Sequence, residues 1–92
     1  MAKIVLFTKQ QYNGDALVLE ASTPGLKGTG VNNDVSSLIV IDGTWNLYEH
    51  PDYKGDVWTV SATGGPQQDG CYPTFSDWGG TNNSISSVKE VN

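Results

Sequence analysis

The chain has 92 residues, a formal charge of −5, five lysines and no arginine. That length holds one small domain, or two halves sharing a core, but not two independent domains. The acidic balance argues against nucleic acid and anionic membranes, both of which call for basic patches. Cys71 stands alone, so no internal disulfide can form. No run approaches eighteen apolar residues, as a spanning helix would need. The apolar run near the start, Ile4 to Phe7, is too short for a secretory leader. The cytoplasm is the default expectation, although a domain excised from an extracellular protein would look the same.

In chain order, the first run is Lys3 to Phe7, followed by a hairpin and a second run, Asp15 to Glu20. A third is Ser37 to Ile41. Thr44 to Tyr48, Asp56 to Ser61 and Ser87 to Val91 repeat the pattern. All are short stretches of β-branched and aromatic residues bounded by Gly, Asn, Asp and Pro, which predicts strands. No helical stripe of three turns exists; one turn is expected around Ser76 to Trp78.

The chain is duplicated. Phe7 to Asp15 aligns with Tyr48 to Asp56, both reading aromatic, four residues, Tyr, one residue, Gly, Asp. Asn32 to Ser37 aligns with Asn82 to Ser87. The first offset is 41 and the second 50, so the second copy carries nine extra residues, expected within Gly64 to Gly80. Gly14 and Gly55 are predicted at the sharp returns of two hairpins, each with its aromatic folded over the turn. Two halves of about forty residues predict an all-β fold, two Greek keys packed as a β-sandwich. Greek key one is expected over about 2–42 and key two over about 43–92, as a single domain. Leu6, Leu17, Leu19, Leu38, Val40, Leu47, Val57, Ile85 and Val88 are the expected core.

The repeated Asx-Asx-x-x-Ser-Ser motif offers only oxygen donors: amides, carboxylate, hydroxyls and backbone carbonyls. Calcium takes six to eight such oxygens in loose geometry, whereas magnesium wants a stricter octahedron. Zinc or copper would want partners for His50 or Cys71, and none is recognisable. An Asx-turn or Ser/Thr turn opening a strand would use the same residues, so the motif alone leaves both readings open.

The paired hairpins Phe7 to Gly14 and Tyr48 to Gly55, with the paired motifs Asn32 to Ser37 and Asn82 to Ser87, resemble the βγ-crystallin family. The resemblance covers residues 3 to 91. The Lys-Ile-Val-Leu-Phe opening, the Gly43-Thr44-Trp45 join and Trp78-Gly79-Gly80 look most like single-domain invertebrate members. The resemblance implies two Ca²⁺ ions between the Greek keys, with the fifth-position serine of each motif serving the other site. Site one would then use the Thr8 carbonyl, the Asn32, Asn33 and Asp34 loop, and the Ser86 hydroxyl. Site two would use the Glu49 carbonyl, the Asn82, Asn83 and Ser84 loop, and the Ser36 hydroxyl. With few carboxylates, binding should be micromolar or weaker. The second site should be the weaker one unless Glu49 or Asp77 assists.

Two rival functions use other residues. His50 and Cys71 lack the nucleophile–base partners of an enzyme. Trp45, Trp58 and Trp78, with Tyr72 and Phe75, could form a carbohydrate- or protein-binding surface, with Tyr72 to Trp78 its best candidate. The expected state is a non-enzymatic monomer with calcium as its partner, the expected role bracing of the fold with some calcium buffering.

Overall fold

The computed structural model describes residues 2–26, 34–79 and 85–91. Among the described residues seven strands form: β1 (Lys3–Lys9), β2 (Asn13–Leu19), β3 (Ser37–Asp42), β4 (Thr44–His50), β5 (Lys54–Ser61), β6 (Cys71–Tyr72) and β7 (Ser87–Glu90). A 3-10 turn spans Gln10–Tyr12 and another spans Phe75–Trp78, where the one helical turn was expected.

All pairing is antiparallel, in two sheets ordered β2-β1-β3-β6 and β5-β4-β7. The halves do not form separate sheets. β6, from the second half, completes the first sheet through Leu38–Tyr72 and Ile39–Cys71. Thr23, from the first half, returns the exchange by bridging Val88 on β7. Each Greek key thus lends its crossing segment to the other sheet. Neither half can close its own sheet, which agrees with the small core that forty residues provide.

This exchange locates the extra residues. Leu38 and Val88 are equivalent at an offset of 50, and their partners Tyr72 and Thr23 at 49. Eight of the nine extra residues therefore precede β6, in the irregular stretch 62–70. The segment from Cys71 to Gly79 is repeat structure, a narrower insertion than Gly64 to Gly80.

The core lies between the sheets. Ile4, Leu6, Leu26, Val35, Leu38, Trp45, Leu47, Ile85 and Val88 are fully buried. Leu17 and Leu19, on edge strand β2, pack against this cluster from its margin. Val57 does not belong to it: its side chain is 49% exposed. The register pairs Tyr48 with Val57 and Leu47 with Trp58, so strand parity sends Trp58 and Val60 inward.

The hairpins also differ from expectation. The returns are made by Gln11–Tyr12 and Asp52–Tyr53, all four with φ between 58° and 62°. Two consecutive left-handed residues match the right-handed twist of the flanking strands. Gly14 and Gly55 come later, at φ 79° and 82°, where the strands bend back over the turn. A Cβ on Gly14 would meet the Thr8 hydroxyl, and one on Gly55 would meet the His50 ring. The aromatics fold over as expected: Phe7 meets Tyr12 edge-on at 5.7 Å, and Tyr48 meets Tyr53 at 5.6 Å.

Candidate metal centre

The motif loops end beside the hairpins of their own half. The Ser36 N–H donates to the Phe7 carbonyl, and the Ser86 N–H to the Tyr48 carbonyl, each at 2.9 Å. Ser36 and Ser86 are both buried. The first loop begins elsewhere. The Leu26 N–H donates to the Ser86 carbonyl at 2.9 Å, just before the chain enters residues 27–33. That loop therefore starts at the second half's fifth-position serine and finishes at the first half's hairpin. The crossing segments lock the same end further. The Pro24 carbonyl accepts from the Asp52 N–H at 2.7 Å, and the Pro73 carbonyl from the Gln11 N–H at 2.8 Å.

Thr8 and Glu49 occupy matching irregularities. The β1–β2 register shifts between Phe7 and Lys9, and the β4–β5 register between Tyr48 and His50. Each residue drops out of the ladder, as at a β-bulge, which re-aims its peptide groups away from the regular pattern. Thr8 also receives the Asp15 N–H on its hydroxyl at 2.9 Å, fixing the bulge. The described candidates of site one are thus Thr8, exposed Asp34 and buried Ser86; those of site two are Glu49 and buried Ser36. Asn32, Asn33, Asn82, Asn83 and Ser84 lie outside the described residues. Among the described residues, no group of three or more His, Cys, Asp or Glu could hold a metal. A site here would rest on hydroxyls, carbonyls, amides and the lone Asp34 carboxylate, a hard-oxygen set that fits Ca²⁺.

The sixth-position serines act differently, which no spacing or residue type signals. The Ser37 hydroxyl donates to the Lys9 carbonyl at 2.6 Å and accepts the Tyr12 N–H at 3.0 Å. The Ser87 hydroxyl donates to the His50 carbonyl at 2.7 Å and accepts the Tyr53 N–H at 3.1 Å. Each hydroxyl satisfies one donor and one acceptor that the left-handed turn leaves over. These serines latch the hairpins. Asp77 is similarly committed: its Oδ2 accepts from both the N–H and the hydroxyl of Thr74, each at 3.0 Å.

The aromatic surface read into Tyr72 to Trp78 is not displayed. Tyr72 and Trp78 are buried, their rings edge-on at 6.4 Å, and Phe75 packs on the core. Trp45 is fully buried, with its indole N–H reaching the Asp42 carbonyl at 3.3 Å. β6 lies on the first sheet, so its neighbours are drawn into the sandwich.

Cys71 is a free, half-buried thiol. Burial and then Asp69 raise its pKa, against a partly compensating hydrogen bond with Tyr12. The Tyr12 phenol is pushed up to about 12, first by burial and then by Cys71, Asp69 and Asp77. Both groups hold their protons more tightly in the folded chain than in the unfolded one. Above their ordinary pKa values the folded state binds more protons, so stability must fall as pH rises. Urea midpoints are expected to be flat below about pH 8, to begin falling as pH passes the ordinary thiol range near about 8.5–9, and to fall further between about 10 and 12, this last part less steeply in Tyr12→Phe.

Two interleaved Greek keys, with paired folded hairpins and a serine-ended loop beside each, define a βγ-crystallin sandwich. The chain belongs to the beta/gamma crystallin family, whose model matches residues 3–91. It is 36% identical over 90 residues to a beta/gamma-crystallin of Ciona intestinalis, covering 98% of this chain and 99% of that one. The solved structure of a beta gamma crystallin from Ciona intestinalis superposes with a TM-score of 0.86 at 35% identity, covering 97% of this chain and 99% of that one. A betagamma-crystallin from an archaeon gives 0.85 at 28% identity, with 98% of each chain covered. Gamma-crystallin 2 of Rana temporaria is 30% identical over 97% of this chain, which spans only 48% of that protein.

Proposed function

We propose that this domain binds two calcium ions at the hairpin end of the sandwich, and that the ions brace the two Greek keys against each other. The observation that carries the reading is the interleaving there. The first motif loop leaves from Ser86 and arrives at Phe7, beside the bulged Thr8. An ion held by that loop, Thr8 and Ser86 would span both halves. For the second ion the equivalent positions are Glu49 of the second half and Ser36 of the first. The role is structural, with buffering secondary and no catalysis.

A ligand that binds only the folded state stabilises it by RT ln(1 + [L]/Kd), about 2.7 kcal/mol at a hundredfold excess over Kd. For a domain this small that is roughly a 10–20 °C rise in melting temperature. The expected result is such a rise in millimolar calcium and little in magnesium. Calorimetry should count two ions on the wild type and one each on Ser36→Arg and Ser86→Arg. An unchanged melt in calcium would remove the bracing role, and two ions on either variant would remove the exchanged-serine assignment.

A further inference from the structure

The two Greek keys are joined covalently through one residue. β3 ends at Asp42 in the first sheet and β4 begins at Thr44 in the second, so Gly43 alone carries the chain from sheet to sheet. Both of its neighbours are held. Asp42 pairs with Lys3 on β1, while Thr44 pairs with Ser61 on β5 and its carbonyl accepts the Val91 N–H at 2.9 Å. The bend is therefore concentrated in Gly43, which sits at φ 86°. Glycine takes that left-handed value and an extended one with similar ease, whereas a residue with a Cβ does not.

Everything else that joins the described halves is non-covalent. β6 of the second key lies on β3 of the first, and Thr23 of the first bridges Val88 of the second. The Val40 N–H donates to the Gly70 carbonyl at 2.7 Å, across the same seam. The buried core draws Leu6 and Leu38 from the first key and Trp45 and Leu47 from the second. Each of these contacts needs a complementary half, and none needs both halves to belong to one chain.

We propose that the chain exchanges its Greek keys with a second copy, forming a dimer in which key one of each chain packs on key two of the other. Gly43 straightens, β3 and β4 run on as one extended segment, and the contacts between keys re-form between chains. The reciprocal exchange closes about a two-fold axis and leaves no key unpaired. No new surface is required, because the interface is the seam of the sandwich itself. Duplicated chains are prone to such exchange, since a partner's half offers the same complement as the chain's own. A connection of one residue at a left-handed angle gives the closed form little slack. The closed monomer still prevails at low concentration, because tethering holds its halves at an effective concentration on the order of millimolar. The keys part only when their common core opens, so exchange takes place on refolding. On the calcium reading above, each ion in the dimer would join two chains, through Thr8 of one and Ser86 of the other. The exchange is tested without calcium and stands apart from that reading.

Refolding from urea at about 10 μM and about 1 mM chain, read by size exclusion with light scattering, tests this. The wild type is expected to refold as monomer at the lower concentration and to give a dimer fraction at the higher. Gly43→Ala places a methyl at the left-handed angle only in the closed form, a penalty of about 5- to 30-fold per hinge. Two hinges straighten per dimer, so the dimerisation constant should rise by roughly 25- to 900-fold. Gly25→Ala, where a Cβ meets nothing within 4 Å, should change it less than twofold. Two glycines inserted after Gly43 relax the closed hinge and should lower the dimer fraction. In dimers mixed from isotope-labelled and unlabelled chains, filtered NMR should place Leu38 of one chain beside Tyr72 of the other, the β3–β6 pair. Refolding of both wild type and Gly43→Ala as monomer alone at the higher concentration overturns the proposal. So does an equal rise in Gly25→Ala. A dimer whose Leu38–Tyr72 contact stays within one chain would be a surface association, and equally overturns it.

Discussion

Gly70→Ala is expected to lower the melting temperature by roughly 10–25 °C, among the largest effects of any single methyl in this chain. Gly70 ends the extra stretch 62–70 at φ 83°. A Cβ there would meet the Val40 carbonyl and would lie 3.0 Å from the Ala62 carbonyl. Both are backbone atoms, and neither can swing away as a side chain would. The Gly70 carbonyl also accepts the Val40 N–H at 2.7 Å, and the Gly70 N–H donates to the Gly64 carbonyl at 2.9 Å. These bonds deliver the chain to β6 and so to the edge of the first sheet. A left-handed alanine costs about 1–2 kcal/mol, and crowding a packed site about 1–3 more. Together they give about 2–5 kcal/mol, readable by urea titration. Gly25→Ala is the control, since a Cβ there meets nothing within 4 Å. Equal losses at both positions would show that the tight approach at Gly70 is not what matters.

The second large effect is expected at Ser87. Ser87→Ala should cost about 1–3 kcal/mol, because it strands both the Tyr53 N–H and the His50 carbonyl at a half-buried turn. Ser37→Ala should do the same through Tyr12 and Lys9. The distinction from the adjacent serines is sharp. Ser87→Ala should destabilise the calcium-free protein while leaving two ions bound in calorimetry. Ser86→Arg should lose one ion. If Ser87→Ala instead abolished an ion without changing the calcium-free melt, the sixth-position serine would be a ligand and not a latch.

Much of the fold was legible because duplication writes the same instructions twice. The paired aromatic, Tyr and Gly spacings announced two folded hairpins, and strand periodicity located all the longer strands. β6 was not legible. Cys71–Tyr72 is two residues long, lies between Gly70 and Pro73, and exists as a strand only because β3 offers an edge. Val57 was misplaced for a related reason. In Val57-Trp58-Thr59-Val60 an apolar residue occupies both faces, and only the register with β4 chooses between them.

The candidate site divides along the same line. Its donor chemistry was in the sequence: two Asx-Asx-x-x-Ser-Ser loops made only of oxygen ligands, in a chain lacking paired His or Cys. The sequence could not separate adjacent serines by role. Ser36 and Ser37 are neighbours of one type, as are Ser86 and Ser87. In a strand, consecutive side chains point to opposite faces, so one step of chain sends one hydroxyl to the hairpin and leaves the next for another task.

Composition, spacing and duplication by themselves determined the class: a small all-β pair of Greek keys with an oxygen-rich motif in each. Those are properties of short segments, set by local propensity and by which residues recur together. Tertiary structure decided the rest. It fixed the exchange of crossing segments between sheets, the burial of the Tyr72 to Trp78 aromatics, and the latching serines. Each depends on residues distant in sequence meeting in one register, and pairing energy at such a distance is not encoded in any local window.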